Sequence, residues 1–169
     1  MFPKTLLGLA LVAVLTVTAA GCGSQVDLAK TLSVTDVFGG WYDFGVTGGL
    51  NKLVPSVSFR LQNSGATPIN EVQLTVSFWQ EGADGEWDSK EVRGIGADAV
   101  APGASSDPIL VRADVGFTLD QPRAELFTHR MFRDVSAKVF AKRGGKIVPL
   151  GAFKIERRIL PHSLSSARP

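Results

Sequence analysis

Beyond its first 31 residues, the chain alternates hydrophobic and polar positions in short runs, which is typical of β-strands with one buried face. The clearest run, residues 57–62, ends at the turn sequence Asn63-Ser64-Gly65. A partner strand follows over residues 72–79, and a Gly- and Asp-containing turn at 82–85 leads into residues 86–95. The pattern therefore predicts a hairpin over residues 72–95.

The second half of the chain continues the same pattern. Ala101-Pro102-Gly103 predicts a turn, because proline fixes one dihedral angle and glycine accepts a positive φ. A strand is predicted over residues 109–115, and another over residues 135–141. The latter ends at Arg143-Gly144-Gly145-Lys146, a hairpin turn sequence, and the chain returns over residues 147–160. We count about seven strands in all.

Only residues 122–132 carry a helical pattern, in which Asp120 would cap the first turn and Pro122 lies near the start. The spacing of the strands predicts an all-β fold, an immunoglobulin-like antiparallel β-sandwich of about seven strands with this one short helix. A small barrel is the alternative.

A family resemblance adds to this interpretation. The stretch Val57-Ser58-Phe59-Arg60-Leu61-Gln62-Asn63-Ser64-Gly65, residues 72–79, the Asp84-Gly85 turn and Pro102-Gly103 resemble the FxLYD-type and related immunoglobulin-like domains of the bacterial envelope. The likeness covers roughly residues 55–115, with Ser77-Phe78-Trp79-Gln80 where the family has Leu-Tyr-Asp. The resemblance implies a non-catalytic binding or structural module.

The N-terminus has the pattern of an export signal. A positively charged start at residues 1–4 precedes an apolar run at residues 6–17, and small residues lead to Cys22. Twelve apolar residues are fewer than the roughly 18–20 needed to span a bilayer as a helix. An ordinary secretory signal is one interpretation; the other follows from Ala19-Ala20-Gly21-Cys22, which resembles a bacterial lipobox with alanine in place of the usual leucine.

The lipobox resemblance implies a lipoprotein signal peptide at 1–21 and attachment of diacylglycerol, often with a further acyl chain, to Cys22. Two or three chains would hold the protein on the membrane durably. Neither Gly23 nor Ser24 is the aspartate of an inner-membrane retention signal, so in a host with two membranes we expect the periplasmic leaflet of the outer one. We expect a lipidated tether at 22–31, the sandwich at 32–160 and a disordered tail at 161–169.

Length and composition narrow the function classes. The 169 residues, less the signal peptide, suit one domain, and a net charge of +2 does not suggest nucleic-acid binding. Cys22 is the only cysteine, so its lipidation would leave neither a disulfide nor a thiol nucleophile. We expect no cofactor.

Charge is distributed unevenly: residues 22–121 hold six basic and 13 acidic residues, whereas residues 122–169 hold 11 basic and three acidic ones. Oppositely charged strands could simply pair across the sheets. Alternatively, the basic residues could form a patch that faces anionic lipid headgroups, lipopolysaccharide or an acidic partner. The patch would comprise Lys138, Lys142, Arg143, Lys146, Lys154, Arg157 and Arg158.

Aromatic residues form two groups along the chain. The first comprises Trp41, Tyr42 and Phe44 and the second comprises Phe78, Trp79 and Trp87, and we expect most of these residues to lie in the core. Alternation places Trp79 on the polar face of its strand, where an exposed indole could stack on a sugar or contact a protein. The alternative, which we favour, is that Trp79 packs under a loop. Whether Trp87 joins Trp79 depends on the hairpin register, because a slip of one residue reverses the face.

Catalytic and metal-binding patterns are weak. Glu125 and His129 would share one helix face, but no third group completes a site, and a surface pair explains them better. The acidic residues 84, 86, 88 and 91 lack the ligand order of a calcium loop and are typical of a protected strand edge. We therefore expect a non-enzymatic envelope lipoprotein that binds another envelope protein. The alternative is a lipoprotein that binds glycan or lipopolysaccharide.

Overall fold

Nine strands form two facing sheets in the computed structural model, which describes residues 26–160. One helical turn, α1 (Leu28–Thr31), precedes the first strand, and a 3₁₀ helix (Arg123–Thr128) lies between the sixth and seventh. The strands are β1 (Leu32–Thr47), β2 (Leu50–Asn63), β3 (Val72–Gln80), β4 (Glu86–Ile95), β5 (Ile109–Arg112), β6 (Phe117–Leu119), β7 (Val135–Arg143), β8 (Lys146–Lys154) and β9 (Ile159–Leu160).

One sheet has the order β5-β2-β1-β9, with β6 also paired to β2, and the other has the order β4-β3-β7-β8. Every pairing is antiparallel except that of β1 with β9. The first, second and fifth strands thus oppose the third, fourth, seventh and eighth, as in immunoglobulin-like sandwiches. The predicted all-β sandwich is confirmed, and so are the hairpins β3–β4 and β7–β8.

Two strand predictions were wrong in detail. The segment 72–79 does not pair with 57–62, because β2 and β3 lie in different sheets. The strand predicted over 109–115 ends at Arg112. The Ala113 N–H still donates to the Pro55 carbonyl of β2, but the N–H groups of Asp114 and Val115 donate to the Asp88 carboxylate instead of to a neighbouring strand. Val115 is consequently 42% exposed.

The helix predicted over 122–132 is a shorter 3₁₀ helix. The N–H of Glu125 donates to the carbonyl of Pro122 at 2.9 Å, three residues back. Pro122 itself takes the N-cap position, without a side-chain cap from Asp120. The helix ends because His129 adopts an extended conformation, and this turns the chain so that Phe132 is buried in the core.

The core lies between the sheets and is rich in aromatic side chains at one end. Trp41 is fully buried there, with its ring centroid 5.3 Å from that of Phe132 and 5.7 Å from that of Phe117. At the other end, Leu28 of α1 is buried in the same core. The last part of the predicted tether is therefore packed onto the sandwich from Val26 onward.

The two ends of the sandwich are distinct. The proximal end holds α1, the loop from β2 to β3 and the β7–β8 turn; it is joined by hydrogen bonds from Ser64 N–H to the Thr31 carbonyl and from Arg143 to Asn70. The distal end holds the β1–β2 turn, the β3–β4 turn and the 3₁₀ helix. The chain enters the sandwich at the proximal end, through Val26.

Candidate functional site

Trp79 and Trp87 lie on opposite faces of the β3–β4 hairpin. Phe78 pairs with Asp88 and Trp79 pairs with Glu86, so Trp87 is the extra residue of a β-bulge. Its ring packs inward, with its centroid 6.5 Å from that of Trp41 and 5.3 Å from that of Phe117. The bulge therefore settles the register, and Trp87 does not join Trp79 on an outer surface.

Trp79 lies half-buried on the outer face of the β4-β3-β7-β8 sheet. Its indole N–H donates to the hydroxyl of Ser77 at 2.9 Å. The ammonium of Lys138 lies 3.6 Å from its ring centroid, a cation–π contact. Because the cation covers the ring and the N–H is already bonded, a sugar could stack on that ring face only after displacing Lys138.

Three members of the predicted basic patch are held by carboxylates. Arg157 makes two hydrogen bonds to Asp134, at 2.8 and 2.9 Å, and the Lys154 ammonium lies 3.4 Å from the same carboxylate. The hydrogen bonds from Arg157, followed by that from Lys154, hold the pKa of Asp134 below its ordinary value. Arg158 pairs with Glu156 at 3.3 Å and lies over the Phe38 ring.

The β7–β8 hairpin carries the basic residues that remain. The guanidinium of Arg143 donates to the side-chain oxygen of Asn70 at 2.9 Å, which ties the hairpin to the β2–β3 loop. Lys142 and Lys146 are exposed, and within residues 26–160 neither has an ion pair or a hydrogen-bonding side chain. Next to them Ile147 is 62% exposed. The predicted patch thus reduces to two free lysines beside an exposed isoleucine.

The distal end presents an apolar surface that the sequence pattern did not indicate. Phe44 is 55% exposed, Val46 is 65% exposed and Leu50 is 38% exposed. Leu50 pairs with Thr47 and Val46 pairs with Asn51, so alternation places Leu50 and Val46 on opposite faces of the β1–β2 hairpin tip. We refer to Phe44, Val46 and Leu50 as the distal apolar tip. Lys52 lies over the Phe44 ring at 4.7 Å. Phe44 is therefore outside the core, in which most of the aromatic residues were expected to lie.

A β-bulge next to Asp43 turns Phe44 outward. The register shifts between Asp43 and Gly45, and the Gly45 N–H donates to the Asp43 carboxylate at 2.9 Å. The other carboxylate oxygen lies 2.7 Å from Nε of Arg123, in the 3₁₀ helix. The adjacent turn uses Gly48 and Gly49, both with positive φ, as a two-residue hairpin turn requires. The sequence Asp43-Phe44-Gly45 is the local feature from which this bulge could have been predicted. Arg123, which pairs with Asp43, is remote in sequence.

The two titratable candidates lie at the surface, where Glu125 is exposed and His129 is partly buried. Glu125 and His129 line a shallow surface depression at the 3₁₀ helix. His129 Nδ1 accepts a bond from the Met131 N–H at 3.3 Å. Among residues 26–160 no three His, Cys, Asp or Glu side chains cluster as metal ligands would.

Of the acidic hairpin residues, Asp88 is tied to the opposite sheet. Burial raises its pKa, but hydrogen bonds from the Val115, Asp114 and Ser89 N–H groups, together with Lys90, bring it below the ordinary value. Lys90 also contacts the Asp114 carboxylate. The contacts of Asp88 and Lys90 with Asp114 and Val115 therefore have a structural role: they hold the edge strand β4 against the segment after β5.

Taken together, the fold and its surfaces define an all-β sandwich with the exposed Lys142 and Lys146 on a hairpin at one end and an apolar tip at the other.

The sequence matches no protein-family model and no curated protein. Among solved structures, one structural genomics target aligns with a TM-score of 0.42 and 14% identity, over 76% of this chain and 88% of that one. A candidate ApaA protein of Bordetella pertussis aligns with a TM-score of 0.36 and 18% identity, over 75% and 93%.

The helices of the described part of the chain are short. No helix within residues 26–160 is both long and apolar enough to cross a bilayer. Residues 1–25 and 161–169, including Cys22 and the predicted tail, lie outside the described residues.

Proposed function

We propose that the chain is a lipid-anchored protein of the bacterial envelope that binds another protein through its distal end. The charged start, the apolar run and the small residues before Cys22 support the anchor. Glycine and serine after Cys22 favour the outer membrane in a host that has two.

The distal apolar tip is the observation that carries the proposal. Aromatic and aliphatic side chains exposed together are typical of the centre of a protein interface. Phe44 and Val46 project from a hairpin whose turn is far from α1, where the chain enters the sandwich. A domain attached at the proximal end presents the tip away from the membrane, toward soluble or membrane-spanning partners.

Site-specific crosslinking in cells tests this proposal. A photoreactive residue at Val46 is expected to capture one protein, whereas the same residue at Gln73, exposed on the outer face of a sheet, is not. Phe44→Ser should abolish capture without unfolding the domain, because the side chain is largely exposed. Equal capture at both positions would contradict a docking role for the tip.

The anchor is tested separately with Cys22→Ala. The variant is expected to accumulate as unprocessed or unacylated protein and to lose the membrane fraction. Metabolic labelling with a radioactive fatty acid reports the modification directly. Continued acylation of Cys22→Ala would remove the lipobox assignment and leave the crosslinking result to be interpreted without it.

The glycan or lipopolysaccharide alternative retains one supporting observation. Trp79 and Lys138 share the outer face of the β4-β3-β7-β8 sheet, where an indole and a cation could contact an anionic saccharide. Binding of the acylated protein to lipopolysaccharide and to cell-wall glycan should then weaken in Trp79→Ala. Unchanged binding of that variant would remove this alternative.

A further inference from the structure

The β7–β8 hairpin lies at the end of the sandwich where the chain enters. β1 begins at Leu32, paired with Asn63 at the end of β2, and the following loop returns the chain to β3 at that same end. Gln73, near the start of β3, pairs with Lys142, so the β7–β8 turn belongs to this end as well. α1 packs against β8. The free lysines and the N-terminal attachment therefore share one end.

The distance between this end and the proposed anchor is short. The chain is packed onto the sandwich from Val26 onward, and four residue steps separate Val26 from Cys22. At ~3.3–3.6 Å per residue these steps span at most about 14 Å. Screening at physiological salt has a length of about 8 Å, so the proximal end stays close to the range of the headgroup charges.

The hairpin has the chemistry of a headgroup-binding element. Lys142 and Lys146 are exposed without partners among the described residues, and lysine ammonium groups are attracted to anionic headgroups. The neighbouring Ile147 is exposed, and an aliphatic side chain favours the boundary between headgroups and acyl chains. Arg143 holds the hairpin against the β2–β3 loop through Asn70. The lysines are thus presented on a fixed element.

Acidic groups at the same end restrict the orientation. Glu71 follows Asn70 and is exposed, and Asp98 is exposed in the loop after β4. Asp27 lies 3.6 Å from Lys30, so those two charges offset each other. Because an anionic surface would repel these carboxylates, an orientation that leads with the hairpin is favoured over one that leads with the loops at Glu71 and Asp98.

We propose that the β7–β8 hairpin lies on the anionic phospholipid headgroups of the membrane that holds the protein's own anchor. This inference rests on the proposed lipid attachment at Cys22. The lipid holds the domain at the membrane, and Lys142 and Lys146 determine the orientation of the domain relative to the membrane surface. The distal apolar tip is then directed outward rather than along the membrane plane.

A fluorescent probe on the full acylated protein tests the orientation. Gly145→Cys introduces a thiol at the hairpin turn, where an added Cβ meets no atom within 4 Å, and acylation of Cys22 leaves it as the only free thiol. Thr47→Cys places the same probe at the distal turn. Each protein is reconstituted in phosphatidylcholine vesicles with or without one-third phosphatidylglycerol, together with a headgroup-attached quencher.

We expect the hairpin probe to be quenched only in the vesicles that contain phosphatidylglycerol. The probe on Thr47→Cys should remain unquenched in both kinds of vesicle. Lys142→Gln and Lys146→Gln should each lower the ratio of docked to undocked protein about five-fold, and added salt should do the same. Lys52→Gln, with the same charge change at the distal end, should have no effect. Equal hairpin quenching in both kinds of vesicle would overturn the inference.

Flotation of the same vesicles separates this inference from the proposed anchor. Labelled Gly145→Cys protein that floats while its hairpin probe remains unquenched overturns the docking and leaves the anchor intact. Wild-type protein that does not float, or Cys22→Ala protein that does, overturns the anchor itself.

Discussion

The Asp88 carboxylate accepts a hydrogen bond from the Asp114 backbone N–H at 2.5 Å, and it thereby joins the edge strand of one sheet to the other sheet. The Val115 N–H donates to the same oxygen at 3.2 Å, and the Ser89 N–H donates to the other oxygen at 2.8 Å. One side chain thus satisfies three backbone donors. These donors stabilise the charged form of Asp88.

Asp88→Ala should lower the free energy of unfolding by about 1–3 kcal/mol, because it leaves those N–H groups without their charged acceptor. Since the folded pKa of Asp88 is below its ordinary value, the contribution is full above about pH 4 and is lost as the pH falls through the folded pKa. Urea unfolding of the wild-type protein and of Asp88→Ala at several pH values measures this contribution to the free energy of unfolding. A stability difference that persists undiminished at pH 2 would contradict this account.

Arg157→Gln should raise the pKa of Asp134 toward the ordinary value, because it removes the largest cause of the lowering. The rise should be incomplete, since Lys154 remains 3.4 Å away. Carboxyl titration by NMR measures the change. Arg158→Gln is the matched control, because Arg158 pairs with Glu156; an Asp134 pKa that is the same in both variants would exclude the proposed cause.

Trp87→Ala should destabilise the domain by about 3–5 kcal/mol, because it removes an aromatic side chain packed against Trp41 and Phe117. Trp79→Ala should cost only about 1–2 kcal/mol, because its ring lies on the outer face under Lys138. Guanidinium unfolding compares the two. Equal losses would show that the inward packing of Trp87 contributes no more to stability than the outer-face position of Trp79.

Gly116→Ala should cost about 1–3 kcal/mol, because a Cβ there would lie 2.2 Å from the Leu53 carbonyl oxygen and the backbone would have to move. Gly85→Ala, in open space at the β3–β4 turn, should change stability by less than about 0.5 kcal/mol. Thermal unfolding of the two variants checks the contrast. A stable Gly116→Ala protein would mean that β6 can shift away from β2 at little cost.

Local chemistry made the strands and turns predictable. The alternation at Val72, Leu74, Val76 and Phe78 matches a buried face, and Gly144 has the positive φ that its hairpin turn needs. These features depend on neighbouring residues alone. The positions of Phe44 and Trp87 do not, because each is decided by a bulge that reverses the face of a single residue.

Contacts between residues that are remote in sequence determine the features that the hydrophobic and polar pattern could not predict. Asp43 is positioned by Arg123, and Asp88 by the Asp114 and Val115 N–H groups, so the local strand shape depends on residues up to 80 positions away. The same applies to the basic residues: adjacent in sequence, Arg157 and Arg158 pair with different carboxylates. Only the three-dimensional arrangement shows that Lys142 and Lys146, unlike the rest of the basic patch, have no side-chain partner within residues 26–160.

The pairing of the first strand with the last has a consequence for biosynthesis. A ribosome releases β1 early, but the strand that pairs with its outer edge at Trp41 and Tyr42, Ile159–Leu160, follows more than 100 residues later. Until then the backbone donors and acceptors along that edge can pair with another nascent chain. The interval before β9 emerges is therefore when a chaperone would protect this protein most.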